Sequence, residues 1–182
     1  MDGMQENSLN DLVAKSEIMR LIHLYPRGLD RLDRTLLLTI GHSEATVEFT
    51  GMFNGSWAQF VDWLMGAHST MLYNRHTIGN VLIEVNGLRA VSETTATAHL
   101  LVSRPEGDVE ERTVHSRYLD SWRCDEGRWS LASRLTLRDL RTVKIISAAR
   151  KMANVGGFET GEVIADRRSK IGKITSGSKA VD

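Results

Sequence analysis

Val81-Leu82-Ile83-Glu84-Val85-Asn86-Gly87-Leu88-Arg89-Ala90-Val91 is the stretch on which the fold turns. The run before Asn86 is apolar and β-branched. Asn86-Gly87 is the dipeptide that most strongly marks a tight hairpin between two such runs. Strand character begins at Tyr73, and the partner strand, Arg89 to Ser103, is rich in Val, Thr and Ala. Pro105-Glu106-Gly107-Asp108 reads as the next turn, Thr113 to Cys124 as a third long strand and Asp125-Glu126-Gly127 as a third turn. Arg128 to Leu137 reads as the last strand. Four long strands in succession make an antiparallel meander.

Upstream of Tyr73 the apolar period is helical. Ser8 is a plausible N-cap, and Leu9, Leu12, Val13, Leu21, Ile22 and Tyr25 follow at roughly helical spacing. Pro26 and Gly28 are expected to stop this helix. A second helix is expected over Arg31 to Ile40 and a short strand over Ala45 to Phe53. Ser56 is placed to cap a third helix carrying Trp57, Phe60, Val61 and Leu64 on one face. Helices first and a sheet afterwards make an α+β domain. Helices packed on one concave side of such a sheet leave a pocket between them. Beyond Leu140, Val143, Ile145, Ile146, Ala149 and Met152 are spaced for one more helix, and the chain after Gly156-Gly157 reads as a mobile tail or an arm on a neighbouring subunit. The expected organisation is a disordered lead over 1–7, one domain over 8–140, and a C-terminal helix with a flexible tail over 141–182.

Bulk composition narrows the functional classes. With 23 Lys and Arg against 23 Asp and Glu, no overall charge draws the chain to nucleic acid or to an anionic membrane. Cys124 is the sole cysteine, so no intrachain disulfide forms, which fits a reducing compartment. The first ten residues are polar and acidic, unlike a secretory signal. Leu36-Leu37-Leu38 falls far short of the roughly 20 apolar residues that span a bilayer. A cytoplasmic protein is expected.

Chemistry concentrates at two places. Asp30 sits at the end of the first helix, and His76 near the start of the first long strand. A histidine moves protons near neutral pH. A carboxylate on its second nitrogen fixes the tautomer and stabilises the imidazolium. Tyr25, five residues before Asp30, can donate a hydrogen bond to a leaving group or an enolate oxygen. A two-residue turn at Asn86-Gly87 opposes Val85 to Leu88 and carries His76 opposite Thr97. That register puts His76, His99, Thr95 and Thr97 on one face, with His76 and His99 as diagonal neighbours, and Ala96 and Ala98 on the other. Structural readings compete. A strand histidine is more often structural than catalytic, Asp30 could cap the following helix, and Tyr25 could belong to the core. His23, His42, His68 and His115 lack a partner pattern, and Cys124 reads as inert. No H-x-H, H-x-x-x-D or H-E-x-x-H spacing points to a metal. No G-x-G-x-x-G, P-loop or G-x-S-x-G is present. Neither a metal nor a cofactor is expected.

Several stretches together resemble the SnoaL-like branch of the NTF2-like superfamily. They are Leu29-Asp30-Arg31-Leu32-Asp33 after the first helix, His76-Thr77-Ile78-Gly79-Asn80, Arg117-Tyr118-Leu119-Asp120, and Asp125-Glu126-Gly127-Arg128-Trp129. The resemblance covers about residues 8–140. It implies a cone, a strongly bent mixed or antiparallel sheet with three N-terminal helices enclosing a pocket. The most similar branch contains scytalone dehydratase, hexachlorocyclohexane dehydrochlorinase and bile-acid 7α-dehydratase, which use an Asp–His dyad without cofactor. Asp30 and His76 fall where that dyad stands, Tyr25 where the bile-acid enzymes have a tyrosine, and His99 at the place of a second histidine or an acid. Arg134 is matched to an arginine of the bile-acid enzymes. Asn80 and Tyr118 are added as substrate contacts.

The resemblance implies a cofactor-independent lyase of dehydratase type, acting as a homotrimer on a hydrophobic aromatic or polycyclic molecule. Two alternatives stand beside it. One is an aldehyde-releasing carbon–carbon lyase or a ketosteroid-type isomerase. The other is a non-catalytic binding protein, such as the small subunit of an aromatic-ring dioxygenase.

Overall fold

The computed structural model describes residues 2–147. The chain opens with α1 (Asp2–Asp30) and α2 (Arg34–Leu38), then β1 (Gly41–Phe49), β2 (Phe53–Ser56) and α3 (Trp57–Ser69). Four long strands follow: β3 (Tyr73–Asn86), β4 (Arg89–Ser103), β5 (Val109–Asp125) and β6 (Arg128–Ile146). They form one six-stranded sheet in the order β2-β1-β6-β5-β4-β3. Only β1 and β6 run parallel; the other neighbours are antiparallel. This is the bent, unclosed α+β cone that the resemblance implies.

The helices cover the concave face. Ile18, Leu21, Ile22, Tyr25 and Leu29 lie along one stripe of α1, three or four residues apart, and all are buried. They meet Trp57, Phe60, Val61 and Leu64 of α3 in the core. Ser56 caps α3 as expected. Its hydroxyl accepts from the Gln59 N–H at 3.3 Å, while the Gln59 side chain accepts from the Ser56 N–H at 3.0 Å, a complete capping box. Trp57 is locked by its indole N–H, which donates to the Leu37 carbonyl at 2.9 Å.

Three sequence expectations are corrected. First, α1 begins at Asp2, ahead of the Ser8 cap, and it runs through Pro26 to Asp30. Proline in a helix interior costs one hydrogen bond and about 3 kcal/mol. Burying Leu29 beyond it contributes about 1.5–3 kcal/mol, and the contacts of Asp30 with His76 hold the last turn, so the helix continues. Second, β6 does not stop at Leu137. It extends to Ile146 because its backbone pairs with β5 as far as Val109, so Val143, Ile145 and Ile146 are strand residues rather than the start of a helix. The rest of that expected helix and the tail lie outside the described residues. Third, the hairpin register differs. Asn86 pairs with Arg89, so the two-residue loop is Gly87-Leu88. Gly87 has φ 58° and Leu88 is not left-handed, as in a loop that needs positive φ only at its first central residue.

A bulge completes the change of register. Val81, Ile83 and Val85 pair with Thr94, Ser92 and Ala90, but the count slips between Ile78 and Val81. Ile78 then pairs with Ala96, His76 with Ala98 and Arg75 with His99. The inward set on β3 changes from odd to even numbers across the slip. Thr95 holds the bulge, its hydroxyl accepting from the Asn80 N–H at 2.8 Å. Only glycine fits at position 79, since a Cβ there would lie 2.5 Å from the same hydroxyl oxygen. This one extra residue turns His76 to the inside of the cone and leaves His99 outside.

Candidate active site

The end of α1 is docked against β3. Asp30 closes the helix at the unfavourable, negative end of its dipole, and three donor contacts from one residue offset that. His76 Nδ1 lies 2.7 Å from Asp30 Oδ1, and the His76 backbone N–H donates to both carboxylate oxygens at 3.1 Å. A carboxylate oxygen accepts, so Nδ1 carries the hydrogen toward Asp30, and in a neutral imidazole so held the lone pair is on Nε2. The His76 side chain is 7% exposed and that of Asp30 25%. The imidazole is therefore fixed from behind through Nδ1, and its ring lines the cavity.

That cavity, of about 380 Å³, lies between the helices and the concave face of the sheet. Phe60, Trp63 and Leu64 form its helical wall, and Ala96, Ala98 and Leu100 its floor. His76, Tyr25 and Tyr118 also face it. The two tyrosine rings meet edge to face, 5.6 Å apart. Burial, only partly opposed by Arg134, raises the pKa of Tyr25. Burial also raises that of Tyr118, with a further contribution from Tyr25. Both hydroxyls stay protonated at neutral pH and can act as donors.

Arg134 stands behind them, outside the cavity wall. Its Nε and Nη2 each donate to Asp120 at 2.8 Å, and both side chains are buried, 1% and 0% exposed. The guanidinium lies 4.3 Å from the Tyr25 ring centroid and 4.4 Å from that of Tyr118. Nη1 has no hydrogen-bond partner among the described residues. Burial works against the charge, but Asp120 and the two phenols outweigh it and hold the Arg134 pKa above the ordinary arginine value. Arg134 thus lies against both tyrosine rings from outside the cavity lining.

The structure brings together Asp30, His76, Tyr25 and Tyr118, sets Arg134 behind the tyrosines, and leaves out His99 and Asn80. His99 is exposed on the outer face, 3.3 Å from the Thr113 hydroxyl. Asn80 is exposed at the bulge. Ala96 and Ala98, expected on the outside, face the cavity, as direct neighbours of Ile78 and His76. Among the described residues, no three His, Cys, Asp or Glu side chains gather as a metal-holding group. No helix among them is long and apolar enough to cross a membrane.

Sequence reasoning missed His68. It is 8% exposed, lines the cavity, and its ring centroid lies 5.5 Å from that of His76. A signal existed, because Phe60, Leu64 and His68 recur every four residues on the buried face of α3. His68 Nδ1 lies 3.0 Å from the Leu64 carbonyl and donates to it, so Nε2 is an acceptor. Burial, with a smaller contribution from His76, lowers the His68 pKa to about 4. Between pH 6.5 and about 4 the unfolded chain binds a proton here that the folded chain does not. Stability is therefore expected to fall as pH drops through that window, by up to about 3 kcal/mol. Urea unfolding across the window checks this. His68→Gln should flatten the slope, and an unchanged slope would place the titration elsewhere.

The SnoaL-like domain matches residues 10–135. Among solved structures, hexachlorocyclohexane dehydrochlorinase LinA type 2 superposes with a TM-score of 0.68 at 14% identity, covering 75% of this chain and 93% of that one. A scytalone-dehydratase-like protein of Novosphingobium aromaticivorans gives a TM-score of 0.65 at 19% identity, covering 74% and 90%. The LinA type 3 dehydrochlorinase of Novosphingobium barchaimii gives 0.67 at 16%, covering 75% and 94%. At these identities the likeness is one of fold. Among curated proteins, 38 residues match the DNA repair and recombination protein RadA of Halobacterium salinarum at 53% identity. That segment is 21% of this chain and spans about a tenth of the relative, 11% of its length.

Proposed function

The chain belongs to the SnoaL-like domain family, and from that premise we propose that it is a cofactor-independent lyase. The substrate is a hydrophobic, aromatic or polycyclic small molecule. The observation that carries this reading is the 2.7 Å contact between Asp30 and His76, at the wall of a largely apolar cavity. His76 Nε2 takes a proton from a carbon next to the leaving group. The C–H electron pair becomes the new double bond, and the leaving group departs with its own bonding pair. Asp30 stabilises the imidazolium that forms. Tyr25 and Tyr118 donate to the departing or carbonyl oxygen, with Arg134 behind their rings. When the leaving group is hydroxide, the imidazolium returns the proton and water is released.

The isomerase alternative is less well supported. A ketosteroid-type enzyme uses a carboxylate directly as base, whereas here both Asp30 oxygens are occupied by His76. The dioxygenase-subunit alternative does not require an ordered Asp–His pair at all. Exposed Leu82, Leu88 and Val91, 69%, 67% and 54% accessible, support burial between copies of the chain. Assembly as a homotrimer in the cytoplasm therefore belongs to the proposal, with light scattering as its check.

The test begins with native mass spectrometry of whatever copurifies in the cavity. That compound and its hydroxylated precursors are then incubated with chelator-treated protein. Loss of one water, or of one hydrogen halide, at an undiminished rate after chelation is the expected result. Activity that vanishes and returns with one added divalent ion would overturn the mechanism.

A further inference from the structure

Among the described residues, three arginines line the cavity, Arg112, Arg138 and Arg141, and no carboxylate does. Arg112 and Arg141 share Glu110, which accepts from Arg112 Nε at 2.6 Å and from Arg141 Nη2 at 3.1 Å. Arg138 has no acidic partner among the described residues. Its Nη2 lies 2.8 Å from the Met52 sulfur, and its guanidinium sits 5.9 Å from the Phe49 ring centroid. A thioether is a weak acceptor, so most of the Arg138 fork is left for something else. Positive charge is in surplus on this side of an otherwise apolar cavity.

Register fixes where the arginines stand. His76, Ala98, Val114 and Arg141 form one cross-strand row. Ile78, Ala96, Ser116 and Arg138 form the next row. Three strand spacings separate the β3 and β6 ends of each row, about 14 Å along the sheet and less across its concave face. The base is at one end, the cations are at the other, and small side chains, Ala96, Ala98, Val114 and Ser116, pave the floor between them.

We propose that the substrate is an acid, with a carboxylate seated on Arg138 and Arg141 and a hydrophobic body laid over Ala96 and Ala98 toward His76. This deepens the lyase reading and rests on it for the identity of the reacting end. A planar guanidinium takes a carboxylate through two parallel N–H···O bonds, which fixes orientation as well as affinity. The β6 cations thus set which carbon of the body reaches His76.

The test uses 2-naphthoic acid and its methyl ester as probes of equal shape and different charge. Binding is read by calorimetry at pH 7 and low salt. The acid is expected to bind about tenfold tighter than the ester, as for one charged, partly desolvated hydrogen-bonded contact. The preference should shrink as salt rises. Arg138→Gln should bring acid and ester close together with an unchanged melting temperature, while Arg138→Lys keeps part of the preference. His76→Ala should keep all of it. Equal binding of acid and ester by the wild type, no saturable binding of the acid, or a tenfold preference surviving in Arg138→Gln overturns the proposal. The readout needs no turnover. A lyase without acid preference would refute this inference alone, and an acid preference without elimination would refute only the reaction.

Discussion

His76→Ala is expected to lower turnover of the true substrate by on the order of 10³–10⁴-fold while the protein still folds. Removing a general base typically costs up to about 10⁴. His76 sits at a cavity wall, and its main polar partner is Asp30. Its loss enlarges an existing cavity instead of opening a new one in the packed core. Asp30→Asn should cost a similar factor for a different reason. The amide can donate as well as accept, so it can hold His76 in the wrong tautomer, the effect of the same change in a serine protease triad. The measurement is steady-state kinetics of both variants beside thermal melts. A His76→Ala protein with near-wild-type turnover would mean that the base lies elsewhere. One that melts far below wild type would give this histidine a structural role.

The largest effect on stability is expected from Arg134→Ala, about 3–5 kcal/mol. The change leaves the Asp120 carboxylate fully buried and without its bidentate partner. It also removes the cation that lies against both tyrosine rings. Asp120→Ala should cost a similar amount, because the guanidinium would then be the unpaired buried charge. Replacing both residues by apolar side chains of similar volume, Arg134→Met with Asp120→Leu, should restore most of the loss, since neither charge remains. Urea unfolding of the three variants distinguishes these cases. A single Arg134→Ala change that costs under about 1 kcal/mol would show that the pair is not an isolated buried charge pair. Activity of the restored double variant should stay low if Arg134 tunes Tyr25 and Tyr118.

What the sequence determined by itself is local. The α1 stripe, the Ser56 cap, the apolar face of α3 and the turns at Gly87, Gly107 and Gly127 rest on contacts within a few residues, so spacing alone reveals them. Asp30, His76, Tyr25 and Tyr118 were legible as a group through the resemblance. Tertiary structure decided which faces those residues share. The loop closes one residue later than expected, at Gly87-Leu88, and the strand slips at Gly79-Asn80, where the Thr95 hydroxyl on the neighbouring strand holds the bulge. Because strand side chains alternate, each single-residue shift exchanges inside for outside. Inward counting therefore passes from Thr95, Thr97 and His99 to Ala96, Ala98 and Leu100. Arg138 and Arg141 were hidden for a related reason. From Arg138 to Ile145 the β6 residues are exposed, so burial leaves no alternation to read. That segment is a strand because its N–H and C=O groups find partners on β5. Backbone pairing of this kind leaves little trace in side-chain hydrophobicity.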